Sequence, residues 1–446
     1  MTPTPAYPDH TGYRSENAVL LATARGEAMT HNAVAALNWD YLLAAGERQG
    51  MIPLLQQWLT KHRLPVPAET AATLSATYWT NRFRSRALLA ELAAIRVAAA
   101  TVGIPLLPLK GAALAPTVYP APELRPMSDL DLLTRADDLP RIRALFADLG
   151  YVEEPYEASL LPTRLRDPLR REWKFVASRG GFPVLVEVRA EPLDPGLPPL
   201  TELDRAFSAR LHAHAARMWA RARPLDNDPA MLQAAPEDLL LHVASHMATR
   251  HADFRLIWLL DIRQIITHTP EFDWEYLAGE ARSLGLTVPV RAALDAAARW
   301  LHVPLPTMWH GATTSFLPLL RHPVDALEWA VLAPREQTLD TADLAAIPPT
   351  PAWLAAVSVA RVSWRARAQT LRWLLLPCQS YLAGWRNTPE DMANWRYPGT
   401  AAFRLIVSFL LGIAAVARGL HVPVFPALVD RLMRRLNPFR KYKSNL

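Results

Sequence analysis

Asp129 and Asp131 stand one residue apart in the run MSDLDLLT, residues 127–134, which otherwise reads as a buried strand. Alternate side chains of a strand share a face, so the two carboxylates project together while Leu130 and Leu132 project to the other side. Bare carboxylates that close raise one another's pKa and destabilise the fold unless a positive charge lies between them. A divalent cation removes that cost. Oxygen-only donors suit Mg²⁺ or Mn²⁺, which keep part of their water and take further ligands from substrate phosphates. The run FPVLVEVR, residues 182–189, alternates in the same way and sets Leu185, Glu187 and Arg189 on one face. Beside the first strand, Glu187 completes a carboxylate triad. The competing reading is structural: Asp129 caps a turn after Ser128, and Asp131 pairs with Arg125 or Arg135.

Positive groups gather near these acids. Lys110-Gly111 follows a short apolar run and opens a short helix, where backbone N–H groups and an ammonium can meet a phosphate. Arg125 lies shortly before the acids and can face the same anion.

The elements that must position these residues follow from periodicity. From about residue 36 the apolar spacing is helical, and a long helix runs to Gly103, a natural C-terminal residue. IPLLPL, residues 104–109, suits a buried strand, MSDLDLLT is the next strand, and ADDLPRIRALFADLGYV is a helix ending at Gly150. After an Arg-rich connection, FPVLVEVRAE gives a third strand, so a small α/β module is expected. From about residue 205 the pattern reads as helices punctuated by proline loops.

Composition narrows the class. Apolar residues make up 51% and charged residues 20%, which excludes general disorder. A net charge of +6 accommodates an anionic substrate without demanding nucleic acid, and the 15 tryptophans are scattered rather than set among basic residues, which argues against a nucleic-acid stacking platform. The single cysteine, Cys378, excludes a disulfide framework and a Cys-based zinc site and suits a reducing compartment. The N-terminus has no signal-peptide pattern, so a cytoplasmic location is expected. LIVSFLLGIAAVA, residues 405–417, is shorter than the ~20 residues of a spanning helix, and the basic end that follows it could rest on a membrane surface.

The run GIPLLPLKGAALAPTVYPAPELRPMSDLDLLTRADDLPRIRALFADLGYV, residues 103–152, resembles the uncharacterised nucleotidyltransferase family of bacteria, a branch of the DNA polymerase β-like superfamily. It has the Leu-Lys-Gly after a strand, the Arg before the acids, the Asp-hydrophobic-Asp pair and a helix closing in Leu-Gly-Tyr. The likeness extends through NWDYLLAAGERQGMIPLLQQWL and LLLHVASHMATRHADFRLIWLLDIRQII, covering roughly residues 36–305. It implies that Asp129, Asp131 and Glu187 are catalytic and metal-binding, with Mg²⁺ or Mn²⁺ as cofactor. Lys110, Gly111, Arg125 and Ser128 would bind nucleotide. The implied reaction moves NMP from an NTP to an acceptor hydroxyl and releases pyrophosphate. The acceptor, whether small molecule, saccharide or protein, is not specified. Two positions depart from the superfamily pattern: KGAALA lacks the usual Gly-Ser, and Arg189 stands where relatives often have His. These keep a second class open, a nucleotide-binding regulatory protein without turnover whose helical half binds a partner or membrane surface.

On one further helix, His242, His246 and Arg250 share a face. Zinc there lacks the Glu of H-E-x-x-H and a third ligand. The face is expected to line the cleft, with His246, Arg250 and Arg189 near nucleotide or acceptor, or else simply to pack. Arg255, Trp258 and Asp261 recur on the continuing helix and suit a structural ion pair. The expected architecture is α+β and predominantly helical. A loose leader spans 1–30, a helical region 31–103, the small α/β core with a mixed sheet 104–200, a cleft-lining helical region 205–305, and a C-terminal helical region with a basic end 306–446.

Overall fold

The structure, a computed structural model, describes residues 15–154, 172–193, 205–225, 228–247 and 255–309. Five helices come first: α1 (Ser15–Arg25), α2 (His31–Val34), α3 (Trp39–Arg48), α4 (Ile52–Lys61) and α5 (Ala68–Thr101). The α/β part follows as β1 (Leu107–Pro108), α6 (Lys110–Leu114), β2 (Leu130–Leu133), α7 (Leu139–Asp148), β3 (Val152–Glu153), β4 (Glu172–Arg179) and β5 (Phe182–Arg189). Then come α8 (Arg205–Arg221), the ribbon β6 (Arg223–Leu225) and β7 (Asp228–Gln233), α9 (Pro236–His246), α10 (Leu256–Thr267), α11 (Trp274–Ser283) and α12 (Thr287–Leu301). The fold is α+β and mostly helical. No helix among the described residues is long and apolar enough to cross a membrane.

Glycine stops the two helices where the sequence places their ends. Gly103 and Gly150 take φ of +66° and +77°. Behind each, the next amide reaches back to close the last turn, Ile104 N–H to the Ala99 carbonyl at 2.9 Å and Tyr151 N–H to that of Phe146 at 2.8 Å.

The five-stranded sheet has the order β1-β2-β5-β4-β3. β2 and β5 run parallel, and the other neighbours are antiparallel. Its two faces differ in kind. One face buries Leu130, Leu132, Phe175, Val184, Val186 and Val188 against Leu88, Leu92 and Ile95 of α5 and Ile142 and Phe146 of α7. The alternating register therefore turns Asp131, Glu187, Arg189, Lys174 and Glu172 to the other face.

A second core joins helices from both ends of the described chain. Val19, Leu20, Leu42 and Leu55 pack with Leu240, Leu259, Leu260, Leu294 and Leu301. Gln49 seals the junction: its side chain and its carbonyl accept from the amides of Leu256 and Ile257, two of the donors that the start of α10 leaves without helical partners.

Three expectations change. The loose leader gives way at Ser15, because Val19 and Leu20 are buried in this core, and only residues 1–14 of it lie outside the described residues. The end of the expected connection, residues 172–179, is β4, and β6–β7 interrupts the expected run of helices. Residues 310–446, with Cys378, the 405–417 segment and the basic end, lie outside the described residues.

Candidate active site

Two cross-strand rows build the charged face. Asp131 on β2 is the direct partner of Glu187 on β5, and Glu187 is in turn the partner of Lys174 on β4. One step along, Leu133, Arg189 and Glu172 make the second row. Asp129 lies just before β2, and its carboxylate accepts from the Ser128 hydroxyl at 3.2 Å.

Cations fill the space between these acids. Lys110 Nζ lies 2.7 Å from Asp131 Oδ1. The Lys110 backbone has φ of +46°, a left-handed conformation that costs a side-chain-bearing residue roughly 1–2 kcal/mol and turns the chain sharply from β1 into α6. Gly111 follows because a Cβ there would come within 3.1 Å of Met127 Cβ and 3.2 Å of the Arg125 guanidinium. On the far side, Lys174 Nζ lies 2.6 Å from Glu187 Oε1, and Arg189 Nη2 lies 3.3 Å from Glu187 Oε2.

Among the described residues, four carboxylates, those of Asp129, Asp131, Glu172 and Glu187, thus meet three cations, Lys110, Lys174 and Arg189. The excess falls on Asp129. Burial first, then the like charge of Asp131, push its carboxyl up to about 6 against the pull of Lys110. Glu187 goes the other way. Burial alone would raise it, but Arg189, Lys174 and Lys110 together hold it down to about 2.

Arg125 is committed inside the protein. Its Nε and Nη2 donate to both carboxylate oxygens of Asp261 at 2.9 and 2.7 Å, and its Nη1 donates to the Pro126 carbonyl at 2.5 Å. Tyr119 adds a hydroxyl to Asp261 Oδ1 at 2.7 Å. The expected phosphate contact therefore gives way to a buried fork that fastens the loop before β2 to α10, because both partners are almost wholly removed from water and satisfy each other.

The sequence profile of a family described as an uncharacterised nucleotidyltransferase matches residues 35–302, more than half of the chain. The chain belongs to that family. No curated protein and no solved structure matches it.

In this nucleotidyltransferase the histidine-bearing helix is described as far as Met247. His242 is fully buried and its Nδ1–H donates to the Pro192 carbonyl. Burial, then the charges of Lys110 and Arg189, hold its ring well below the usual histidine range, so it is neutral. His246, expected at the cleft, is buried with its ring stacked 6.1 Å from that of His242 and edge-on to Trp258 at 5.9 Å. Arg250 lies outside the described residues. Arg255 packs its guanidinium over Trp258 at 5.2 Å, and Asp261 supplies the structural ion pair.

The nucleotidyltransferase also carries two site residues absent from the sequence expectation, Glu172 and Lys174. A signal for them exists: EWKFVASR alternates and runs through Gly180-Gly181 into the next strand, a hairpin pattern. Among the described residues no group of three or more His, Cys, Asp or Glu side chains is arranged to hold a metal ion. The Asp129–Asp131 pair nonetheless has the chemistry for one cation. Its donors are oxygen, Asp131 Oδ1 is buried with no aligned hydrogen bond, and Asp129 carries the unbalanced charge. Glu187, the expected third ligand, has Lys174 of β4 at one of its oxygens and Arg189 at the other.

Proposed function

We propose that this nucleotidyltransferase moves NMP from an NTP to an acceptor hydroxyl, releasing pyrophosphate. The observation that carries the reading is the Asp129–Asp131 pair at the edge of a parallel β2–β5 pairing, with Lys110 held 2.7 Å from Asp131. Asp129 and Asp131 would hold Mg²⁺ or Mn²⁺, which when bound neutralises the pair, grips the triphosphate and stabilises charge on the leaving oxygens. Lys110, relieved of Asp131, would bring its ammonium to the triphosphate. Arg189 and Lys174 fix Glu187 as a carboxylate beside the reacting centre. Held near 2, Glu187 is a weak base, which leaves the acceptor's proton to a phosphate oxygen or to solvent. Arg125 acts at a distance, holding the loop that carries Asp129 against α10.

The engagement of Glu187 by two cations also favours a second reading, a protein that holds nucleotide without turnover. Calorimetry with the four NTPs, with and without Mg²⁺ or Mn²⁺, tests the site, and transfer of label from α-³²P-NTP to material from a cell extract separates the two readings. Metal-dependent NTP binding that disappears in the Asp129→Asn/Asp131→Asn double variant supports the site. Equal binding by that variant refutes it.

A further inference from the structure

We propose that the Arg189 guanidinium is the built-in cation between Asp131 and Glu187, so that the nucleotide-loaded protein takes up one divalent ion rather than two. The proposal rests on the nucleotidyltransferase reading above and adds the make-up of its site.

A single nitrogen of Arg189 is within reach of three carboxylates. Nη2 lies 2.5 Å from Glu172 Oε2, 3.3 Å from Glu187 Oε2 and 3.5 Å from Asp131 Oδ1. Those acids come from three adjacent strands, β4, β5 and β2. Oxygen donors converging from several elements on one point are what a protein offers a hard cation, and here a guanidinium nitrogen holds the point. The sequence makes this inevitable. Arg189 follows Glu187 by two residues on the same strand face, so its side chain lies over that carboxylate, and its cross-strand partner is Glu172.

Removing the guanidinium to admit a metal would be unfavourable. Arg189 is 4% exposed, and an arginine cannot shed its charge in a protein. Displaced from these acids, it would be a buried cation in need of new partners. Charge counting leads the same way. Among the described residues, Asp131, Glu172 and Glu187 balance Lys110, Lys174 and Arg189, three against three, and Asp129 is in excess. The point between Asp131 and Glu187 is thus already neutralised by the protein's own guanidinium, and Asp129 is the carboxylate left for a divalent ion.

In the reaction, the acceptor side of the phosphorus would then face a fixed guanidinium instead of a metal. In-line displacement still balances: the acceptor oxygen bonds to the α-phosphorus as its proton passes to a phosphate oxygen or to solvent, the bond from that phosphorus to the α,β-bridging oxygen breaks, and pyrophosphate leaves with the electron pair.

The experiment is a count of bound Mn²⁺ by electron paramagnetic resonance on the full chain, saturated with the α,β-methylene analogues of the four NTPs in turn. The expected result is one Mn²⁺ per chain with the analogue that binds. In Arg189→Met a second Mn²⁺ should bind and the melting temperature should rise with Mn²⁺ concentration, while Arg189→Lys, which keeps the charge, should stay at one. Two Mn²⁺ in the wild-type protein overturn the proposal and leave the nucleotidyltransferase reading standing. No Mn²⁺ with any analogue overturns both. The wild-type count decides the matter even where Arg189→Met fails to fold.

Discussion

Arg125 and Asp261 lie 136 residues apart in the chain and meet in a fully paired, buried fork, two guanidinium nitrogens on two carboxylate oxygens. Neither can lose its partner cheaply. Asp261→Asn should lower stability by about 3–5 kcal/mol, the usual consequence of leaving one member of a buried pair uncompensated. Arg125→Lys should also destabilise, because an ammonium cannot reproduce the planar fork. Urea unfolding of both variants checks this, and a loss under about 1 kcal/mol for Asp261→Asn would contradict the assignment.

Asp129 should behave in the opposite sense. Its carboxyl sits near 6 in the folded protein against an ordinary value of 3.8, so the folded state prefers it protonated. Stability is therefore lost as pH rises between those values, and the cost is fully present above 6. Without divalent ions, Asp129→Asn should be more stable than wild type by roughly 1–3 kcal/mol at pH 7.5, with the gain vanishing by about pH 4. Thermal melts in EDTA across that range test it; an equal gain at pH 4 would rule the mechanism out. Asp131→Asn should not share the gain, since it strips Lys110 and Arg189 of their common partner.

Glu187→Gln should cost about 2–4 kcal/mol at pH 7, because it unpairs a buried Arg189 and a partly exposed Lys174. With the folded carboxyl held near 2, its contribution is complete above the ordinary value of 4.5 and fades as pH falls toward 2. The difference between wild type and variant, followed by denaturation from pH 7 to pH 3, should narrow on the acid side. A constant difference would exclude Glu187 as its source.

The strained backbone of Lys110 allows its two contributions to be separated. Lys110→Gly and Lys110→Ala both remove the ammonium, and both should weaken NTP binding at least tenfold if Lys110 meets the triphosphate. They should differ in stability, with the glycine variant ahead by about 1 kcal/mol, since only glycine accepts φ of +46° freely. Equal stability of the two would show that the position is unstrained.

Local chemistry was legible in the sequence. The glycine stops at Gly103 and Gly150, the alternation of Asp129 to Leu133 and that of Glu187 and Arg189 each depend on neighbours a few residues away. What was missed depends on distance. Arg125 reads as a phosphate ligand until Asp261 arrives from another helix, and the Lys174 partner of Glu187 is invisible until β4 is laid beside β5. The buried apolar run of α1 looks like a leader because part of what buries it, α10 and α12, comes more than two hundred residues later, beside the nearer α3 and α4.

That last separation has a consequence for synthesis. Arg25 of α1 donates to the Trp300 carbonyl, 275 residues downstream, and the last carbonyls of α1 are met by Arg263. On a ribosome adding roughly 5–20 residues per second, α1 to α4, which pack on one another and on α5, wait on the order of tens of seconds for α10 and α12 to complete their burial. The β-sheet lies wholly between and can close first. The earliest helices made are thus among the last to settle, and their unburied apolar faces are the natural point of contact for a chaperone.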